Sequence, residues 1–169
     1  MELLIPGLIL VALMAWASTK IKKRASDAFE SELIETENYA VRKPDGFLHV
    51  IGDPDHEFRA YSKEFGGQNN SGDRRATIEI DVFPGRDLES VRDQTTQMGA
   101  SPEIKSETAT ACDIEATEAA GESLIDVYYK IVSGRGAVYR LRFAALAEHS
   151  DEYLRKRDET FESFFLKTN

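Results

Sequence analysis

The sequence predicts an α+β domain, an antiparallel sheet with packed helices, preceded by one transmembrane helix. Three observations lead there. Residues 3–19 carry no charged group and are followed at once by a basic cluster. Several later segments alternate apolar and polar residues with the period of two of a half-buried strand. Two stretches, opening at Asp87 and Ser150, instead place apolar residues at helical spacing behind a residue able to cap a helix.

The first stretch, LLIPGLILVALMAWAST, would span about 25 Å as a helix, against a hydrocarbon core of roughly 30 Å. Ile21 extends it, and Lys20 can snorkel to the headgroups. Pro6 falls in the first turns, where a missing N–H costs little. Trp16 sits at the depth that an interfacial indole favours. Two alternatives compete. Ala15-Trp16-Ala17 resembles a signal-peptidase site, which would release a secreted or periplasmic domain after cleavage near Ala17. A signal peptide, however, carries its positive charge before the apolar run, whereas Lys20, Lys22, Lys23 and Arg24 follow it. A buried core helix would not be apolar all round at the start of a chain. The reading is therefore a single-pass anchor with its basic flank over residues 1–24. The positive-inside rule then places the soluble part in the cytoplasm. The flank reads as a stop-transfer signal rather than a lipid-specific site. An acidic stalk is expected over residues 25–38 and a soluble α+β domain over residues 39–169.

The net charge is −9, from 21 basic and 30 acidic residues. Setting aside the four flank cations and Glu2 leaves 17 basic and 29 acidic residues from position 25 onward, a balance of −12. A body this acidic repels polyanions, so a nucleic-acid partner is not expected. Cys112 is the only cysteine, so an intrachain disulfide is excluded and the fold rests on burial and hydrogen bonding.

Along the domain, residues 39–43 read as a short strand ended by the turn Pro44-Asp45-Gly46. Residues 47–51 form a second extended piece, broken by Asp53-Pro54-Asp55. Residues 58–65 are a third strand, followed by a polar loop over 66–74. In residues 75–83, Ala76, Ile78, Ile80 and Val82 share one face, and Thr77, Glu79 and Asp81 the other. Asp87 caps a helix running to about Met98, with Leu88, Val91, Thr95 and Met98 along one side and Gly99 as its stop. Residues 101–117 suggest a pair of exposed strands. Residues 123–132 and 137–147 make the clearest hairpin, turning at Ser133-Gly134-Arg135-Gly136. Ile125, Val127, Tyr129 and Ile131 form one buried face, with Ala137, Tyr139, Leu141, Phe143 and Ala145 as its expected counterpart. Ser150 is expected to cap the last helix, with Tyr153, Leu154, Phe161, Phe164 and Phe165 as its core stripe.

This order of elements resembles the PsbP/Mog1-like domains. The resemblance runs from about residue 39 to residue 166. It rests on the turn Lys43-Pro44-Asp45-Gly46-Phe47, the strand over 75–83, the strand Tyr139-Arg140-Leu141-Arg142-Phe143 and the helix end Thr160-Phe161-Glu162-Ser163-Phe164. Such domains serve mostly as accessory or binding modules of larger assemblies, so the resemblance implies a non-enzymatic role. It transfers no functional residue, and the anchor departs from the lumenal members. An NTF2- or cystatin-like sheet is the alternative, but the long opening helix expected there is missing.

The residues offer little catalytic chemistry. His49, His56 and His149 lack ligand spacing. Asp53, Asp55, His56 and Glu57 form the densest set of potential metal ligands, yet without the glycine and distal glutamate of an EF-hand loop they read as a polar turn. Acids at 113 and 115 beside Cys112 disfavour a thiolate. Ser133-Gly134-Arg135-Gly136 is too short for a phosphate loop. No cofactor, metal or catalytic residue is assigned. The alternation places Arg140 and Arg142 on the face opposite the core residues, expected to be shared with Asp126, Tyr128 and Lys130 of the partner strand. That face is either a set of cross-strand ion pairs, each worth under about 1 kcal/mol unless desolvated, or an anion- or peptide-binding surface. The function expected is a membrane-tethered binding or assembly module, with the lipid bilayer and a protein as partners. The alternative is a membrane-associated enzyme holding a small substrate in a cleft of the α+β domain.

Overall fold

The computed structural model describes residues 14, 16, 26–66, 74–121 and 123–167. Apart from Met14 and Trp16, the expected anchor and its basic flank lie outside the described residues, as does most of the polar loop over 66–74. Among the described residues no helix is long and apolar enough to cross a membrane.

Among the described residues ten strands build two antiparallel sheets. The smaller contains β1 (Glu32–Glu35), β2 (Tyr39–Lys43) and β10 (Phe165–Leu166), in the order β1-β2-β10. The larger contains β3 (Phe47–His49), β4 (Phe58–Ser62), β5 (Ala76–Pro84), β6 (Ala100–Glu107), β7 (Ala111–Ala120), β8 (Ser123–Gly134) and β9 (Ala137–Leu146), in the order β3-β4-β5-β9-β8-β7-β6. Helix α1 (Leu88–Thr96) packs on one face of the large sheet and α2 (Ser150–Ser163) on the other.

Local chemistry sets most boundaries. Asp87 caps α1 by accepting a 2.7 Å bond from the Ser90 N–H, which satisfies one of the orphan donors of the first turn. Gly99 ends the helix against β7. A Cβ there would fall 2.6 Å from Ala116 Cβ, so only glycine permits that approach. The β8–β9 turn is two residues long, with positive φ at Arg135 (56°) and Gly136 (73°), the conformation that suits a tight hairpin.

That turn overturns the expected faces of the hairpin. It pairs Gly134 with Ala137, so odd positions of β8 oppose even positions of β9. Tyr129 therefore lies opposite Arg142 and Ile131 opposite Arg140. The two apolar sets belong to opposite faces of the sheet. Tyr139, Leu141, Phe143 and Ala145 join β2, β4, β5 and α2 in one core, with Phe47, Phe58, Ile78 and Tyr153. Val127, Tyr129 and Ile131 join Val91 of α1 with Cys112, Ile114 and Val138 in a second. A one-residue change of register moves every side chain to the other face: odd opposite odd would need a loop with an odd number of residues, whereas the two-residue turn sets odd opposite even.

Four further expectations change. The presumed stalk is partly sheet, since Glu32–Glu35 pairs with β2. Ser150 is the first residue of α2 rather than its cap, and its Oγ lies 3.3 Å from the Tyr128 hydroxyl. Phe165 leaves the helix and is exposed in β10, while Tyr153 and Phe164 are buried. The strands also end earlier than expected, at His49 and Ser62.

Lys43 ties the start of the fold to the rest. Its side chain is fully buried, and its Nζ donates to the carbonyls of Ala28 (3.1 Å), Glu30 (2.5 Å) and Phe47 (2.8 Å). Those bonds use all three donors of the ammonium. Burial depresses its pKa, against the pull of Glu32, Asp45 and Glu30.

Phe143 is the clearest single test of the larger core. It is buried, 5.9 Å from the Phe47 ring, which in turn meets Tyr153 of α2 edge-on at 6.0 Å. Phe143→Ala should cost about 3–5 kcal/mol, measured by urea denaturation; a loss under about 1 kcal/mol would mean this core does not pack as described.

Candidate functional site

On the α1 side of the large sheet, β4, β5 and β9 present charged residues where an apolar stripe would be usual. Strand pairing sets Arg59 beside Glu79 and Glu79 beside Arg142, with Asp81 beside Arg140. Glu79 sits between two arginines, 3.2 Å from Arg59 Nε and 3.0 Å from Arg142 Nη1. Arg142 reaches on to Glu118 of β7 at 2.7 Å, and Glu118 also accepts a 2.5 Å bond from the Tyr129 hydroxyl. The chain Arg59–Glu79–Arg142–Glu118–Tyr129 thus crosses five neighbouring strands.

A second branch runs beside it. Arg140 donates to Asp81 at 2.7 Å. Its guanidinium lies 5.1 Å from the Phe83 ring centre and 5.9 Å from that of Tyr129, with Thr95 and Met98 from the end of α1 against it. The other Asp81 oxygen is 2.7 Å from His56 Nδ1, and His56 Nε2 is 3.7 Å from Glu79.

Most of these charges are largely withdrawn from solvent, with Arg140 only 8% and Glu79 only 7% exposed. Burial works against the charge on Arg142, but Glu79 and Glu118 outweigh it and hold its pKa above the usual guanidinium range. Burial, reinforced by the Glu118 bond, pushes the Tyr129 phenol up to about 12. The Asp55 N–H, with those of His56 and the Arg59 side chain, holds the Asp53 carboxyl below its ordinary range despite desolvation.

Above Asp81 and Arg140 the loop between β3 and β4 leaves a cleft of about 430 Å³, lined by Asp53 to Glu57, Asp81, Val82, Phe83 and Arg140. Asp53 organises the loop by accepting from the backbone N–H groups of Asp55 (2.9 Å) and His56 (3.1 Å). Asp55 and Glu57 are exposed at its rim, and Ile51, two residues before Asp53, is 89% exposed. Among the described residues no three His, Cys, Asp or Glu side chains converge as a metal would require.

The five residues expected to share one face do not. Arg140 and Arg142 stand on the α1 side, while Asp126, Tyr128 and Lys130 point to the α2 side, because of the register set by the short turn. Lys130 donates to the Phe161 carbonyl at 2.9 Å, and the Arg157 guanidinium stacks 4.3 Å from the Tyr128 ring. Beside them Asp126 and Tyr128 help line a smaller hollow of about 270 Å³. His49 and His149 do not line the cleft: His49 packs on Phe58 at 4.9 Å, and His149 bonds Glu152 at 3.1 Å. Cys112 is buried under α1, and burial raises its pKa. The sequence reading missed Glu79, Asp81, Arg59 and Glu118 as partners of the arginine pair. The available signal was the Thr77, Glu79, Asp81 alternation in β5, which presents acids at the spacing that Arg140 and Arg142 present bases.

No family model and no curated protein sequence matches the chain. Solved structures do match. LpqN of Mycobacterium tuberculosis, involved in cell envelope biogenesis, superposes with a TM-score of 0.58 at 12% identity, over 82% of this chain and 91% of that one. The Ran-binding protein Mog1p of Saccharomyces cerevisiae gives 0.53 at 12% identity, over 82% and 96%. Cyanobacterial PsbP from Synechocystis gives 0.53 at 11% identity, over 82% and 94%. The domain has a PsbP/Mog1-like α+β fold. At these identities the likeness is one of fold alone.

The lattice makes a direct prediction about stability. Arg142→Ala leaves Glu79 and Glu118 without their shared cation and should cost about 3 kcal/mol or more. Arg92→Ala removes exposed pairs with Glu89, Asp93 and Glu107 and should leave the unfolding midpoint almost unchanged. Urea denaturation of both variants checks this; equal losses would deny the lattice its structural weight.

Proposed function

We propose that this chain is a membrane-tethered, non-enzymatic binding or assembly module, with its soluble domain on the cytoplasmic side. The observation that carries the binding reading is the cleft under the β3–β4 loop. Its floor is held by an ion pair and a hydrogen bond, since Asp81 contacts both Arg140 and His56 at 2.7 Å. Its rim offers the exposed carboxylates of Asp55 and Glu57, and the same loop carries the exposed apolar side chain of Ile51. Fixed floors and free rims suit recognition, because a preorganised surface loses little freedom on binding. The rim charge, on a body of −12, fits a basic protein segment with an apolar anchor residue. The fold supports a protein partner by analogy, since Mog1p is a Ran-binding protein. Tethering rests on the uncharged run over 3–19 and the cations at 20–24.

One observation favours the enzyme alternative. His56 held by Asp81 has the geometry of an oriented general base. The cleft lining, however, contains no hydroxyl or thiol to activate, and the second ring nitrogen of His56 faces Glu79.

Full-length protein should remain with membranes through carbonate extraction, with an uncleaved N-terminus. A photo-cross-linking residue in place of Ile51 should trap one discrete protein adduct in native membranes. The same residue in place of Glu103, exposed on the edge strand β6, should not. Reversing Asp55 and Glu57 to Lys should abolish the adduct while leaving the unfolding midpoint unchanged. Release by carbonate, a mature chain beginning at Ser18, or equal adducts from both positions would contradict the proposal.

A further inference from the structure

The topology gives the domain two distinct poles. One row of backbone bonds runs across the end where the turn over residues 26–30 packs. Gly46 N–H donates to the Phe29 carbonyl at 2.7 Å, and Lys63 N–H to the Gly46 carbonyl at 2.7 Å. Arg75 N–H donates to the Glu64 carbonyl, Leu146 N–H to the Arg75 carbonyl, and Ile125 pairs with Leu146. Phe65 and Leu124, the neighbours of this row, are 53% and 59% exposed. Arg74 stacks on Phe65 with its guanidinium 3.6 Å from the ring centre, and Lys63 lies 5.7 Å from the Phe29 ring. The cleft occupies the opposite pole, where β4 begins and β5 ends.

Covalent geometry decides which pole meets the bilayer. This step rests on the anchor proposed above. If Arg24 marks the headgroup boundary, Ser26 lies within about 7 Å of it, at the reach of an extended chain. From Ser26 onward the chain is held: Phe29 N–H bonds the Ser26 carbonyl at 3.0 Å, and Lys43 binds the Ala28 and Glu30 carbonyls. The nine residues of β5 separate the poles by about 27 Å. The tether is too short, and too firmly fixed to the near pole, to let the far pole face the membrane.

We infer that the domain stands end-on against the bilayer, with Phe65 and Leu124 at the headgroup level and the cleft pointing away into the aqueous phase. The occupant of this surface is the bilayer itself. Carboxylates of Asp45, Glu64 and Glu152 sit among the cations at this pole. Contact is therefore driven by the tether and by apolar side chains, not by attraction to anionic lipid.

Full-length protein reconstituted in phosphatidylcholine vesicles with a nitroxide-headgroup lipid tests this. An environment-sensitive fluorophore would be placed on cysteines introduced as Phe65→Cys, Lys63→Cys, Leu124→Cys and Ile51→Cys, since the buried Cys112 should not label. Quenching should be several-fold stronger at 63, 65 and 124 than at 51, and unchanged when anionic lipid is added. Equal quenching at both poles, or near-pole quenching only with anionic lipid, would overturn the inference. Failure of the protein to partition into the vesicles would instead overturn the anchor.

Discussion

The interaction on which the rest depends is the carboxylate of Glu79 held between Arg59 and Arg142. Helix α1 covers the large sheet over β7 and β8, and beside it lies a stretch of sheet face with no helix of its own among the described residues. An apolar surface there would invite association. The sequence instead places charged side chains that cover the strands with their stems and neutralise one another at their tips. Removing such charges from water is costly; Arg142 and Arg140 offset it with hydrogen bonds to Glu79, Glu118 and Asp81, whereas Arg59 Nε lies 3.2 Å from Glu79 without making a hydrogen bond. It also binds five strands to one another through side chains, in addition to the backbone ladder. The cleft is a consequence: its floor residues, Asp81 and Arg140, are members of the same network, and His56 connects the loop above to it.

A second constraint acts at the other pole. A buried lysine with three carbonyl acceptors and no carboxylate is unusual, because burying an ammonium is expensive. Lys43 satisfies it with backbone oxygens from the turn over residues 26–30 and from β3. Strand β1 then adds itself to β2. The segment over residues 26–35 is thereby part of the fold. On the anchor proposed above, such a segment would fix orientation, whereas a flexible stalk would fix only proximity. The partner-binding reading and the end-on reading meet here, since a cleft held away from the bilayer is accessible to a soluble or neighbouring protein.

Much of the architecture was legible from pattern. The alternation in residues 75–83, the Asp87 cap and the glycine after α1 identified their elements because each reflects a local physical cause. What failed depended on partners far away in sequence. The hairpin strands were found, but their faces were paired wrongly: setting the odd residues of both strands opposite one another needs an odd number of loop residues, and the turn holds two, Arg135 and Gly136. The arginine pair was noticed on its strand, yet its acids lie on β5 and β7, beyond any local signal. Strand β1 was hidden by its acidity. Its pairing with β2 is a tertiary event, and only Leu33 and Ile34 hint at it. Phe165 was assigned to a helical stripe because its spacing fits one, but the helix ends at Ser163 and β10 takes the residue to the surface.

The central claim is that the charged network is a cooperative structural unit rather than a set of independent surface pairs. A double-mutant cycle on Glu79→Gln and Arg142→Met, read by urea denaturation, measures it most directly. The account predicts a coupling energy of about 1.5–3 kcal/mol, at the upper end for residues in one desolvated network. A coupling below about 0.5 kcal/mol, the range of additive sites, would show that the two charges act separately and that the cleft floor has no such foundation.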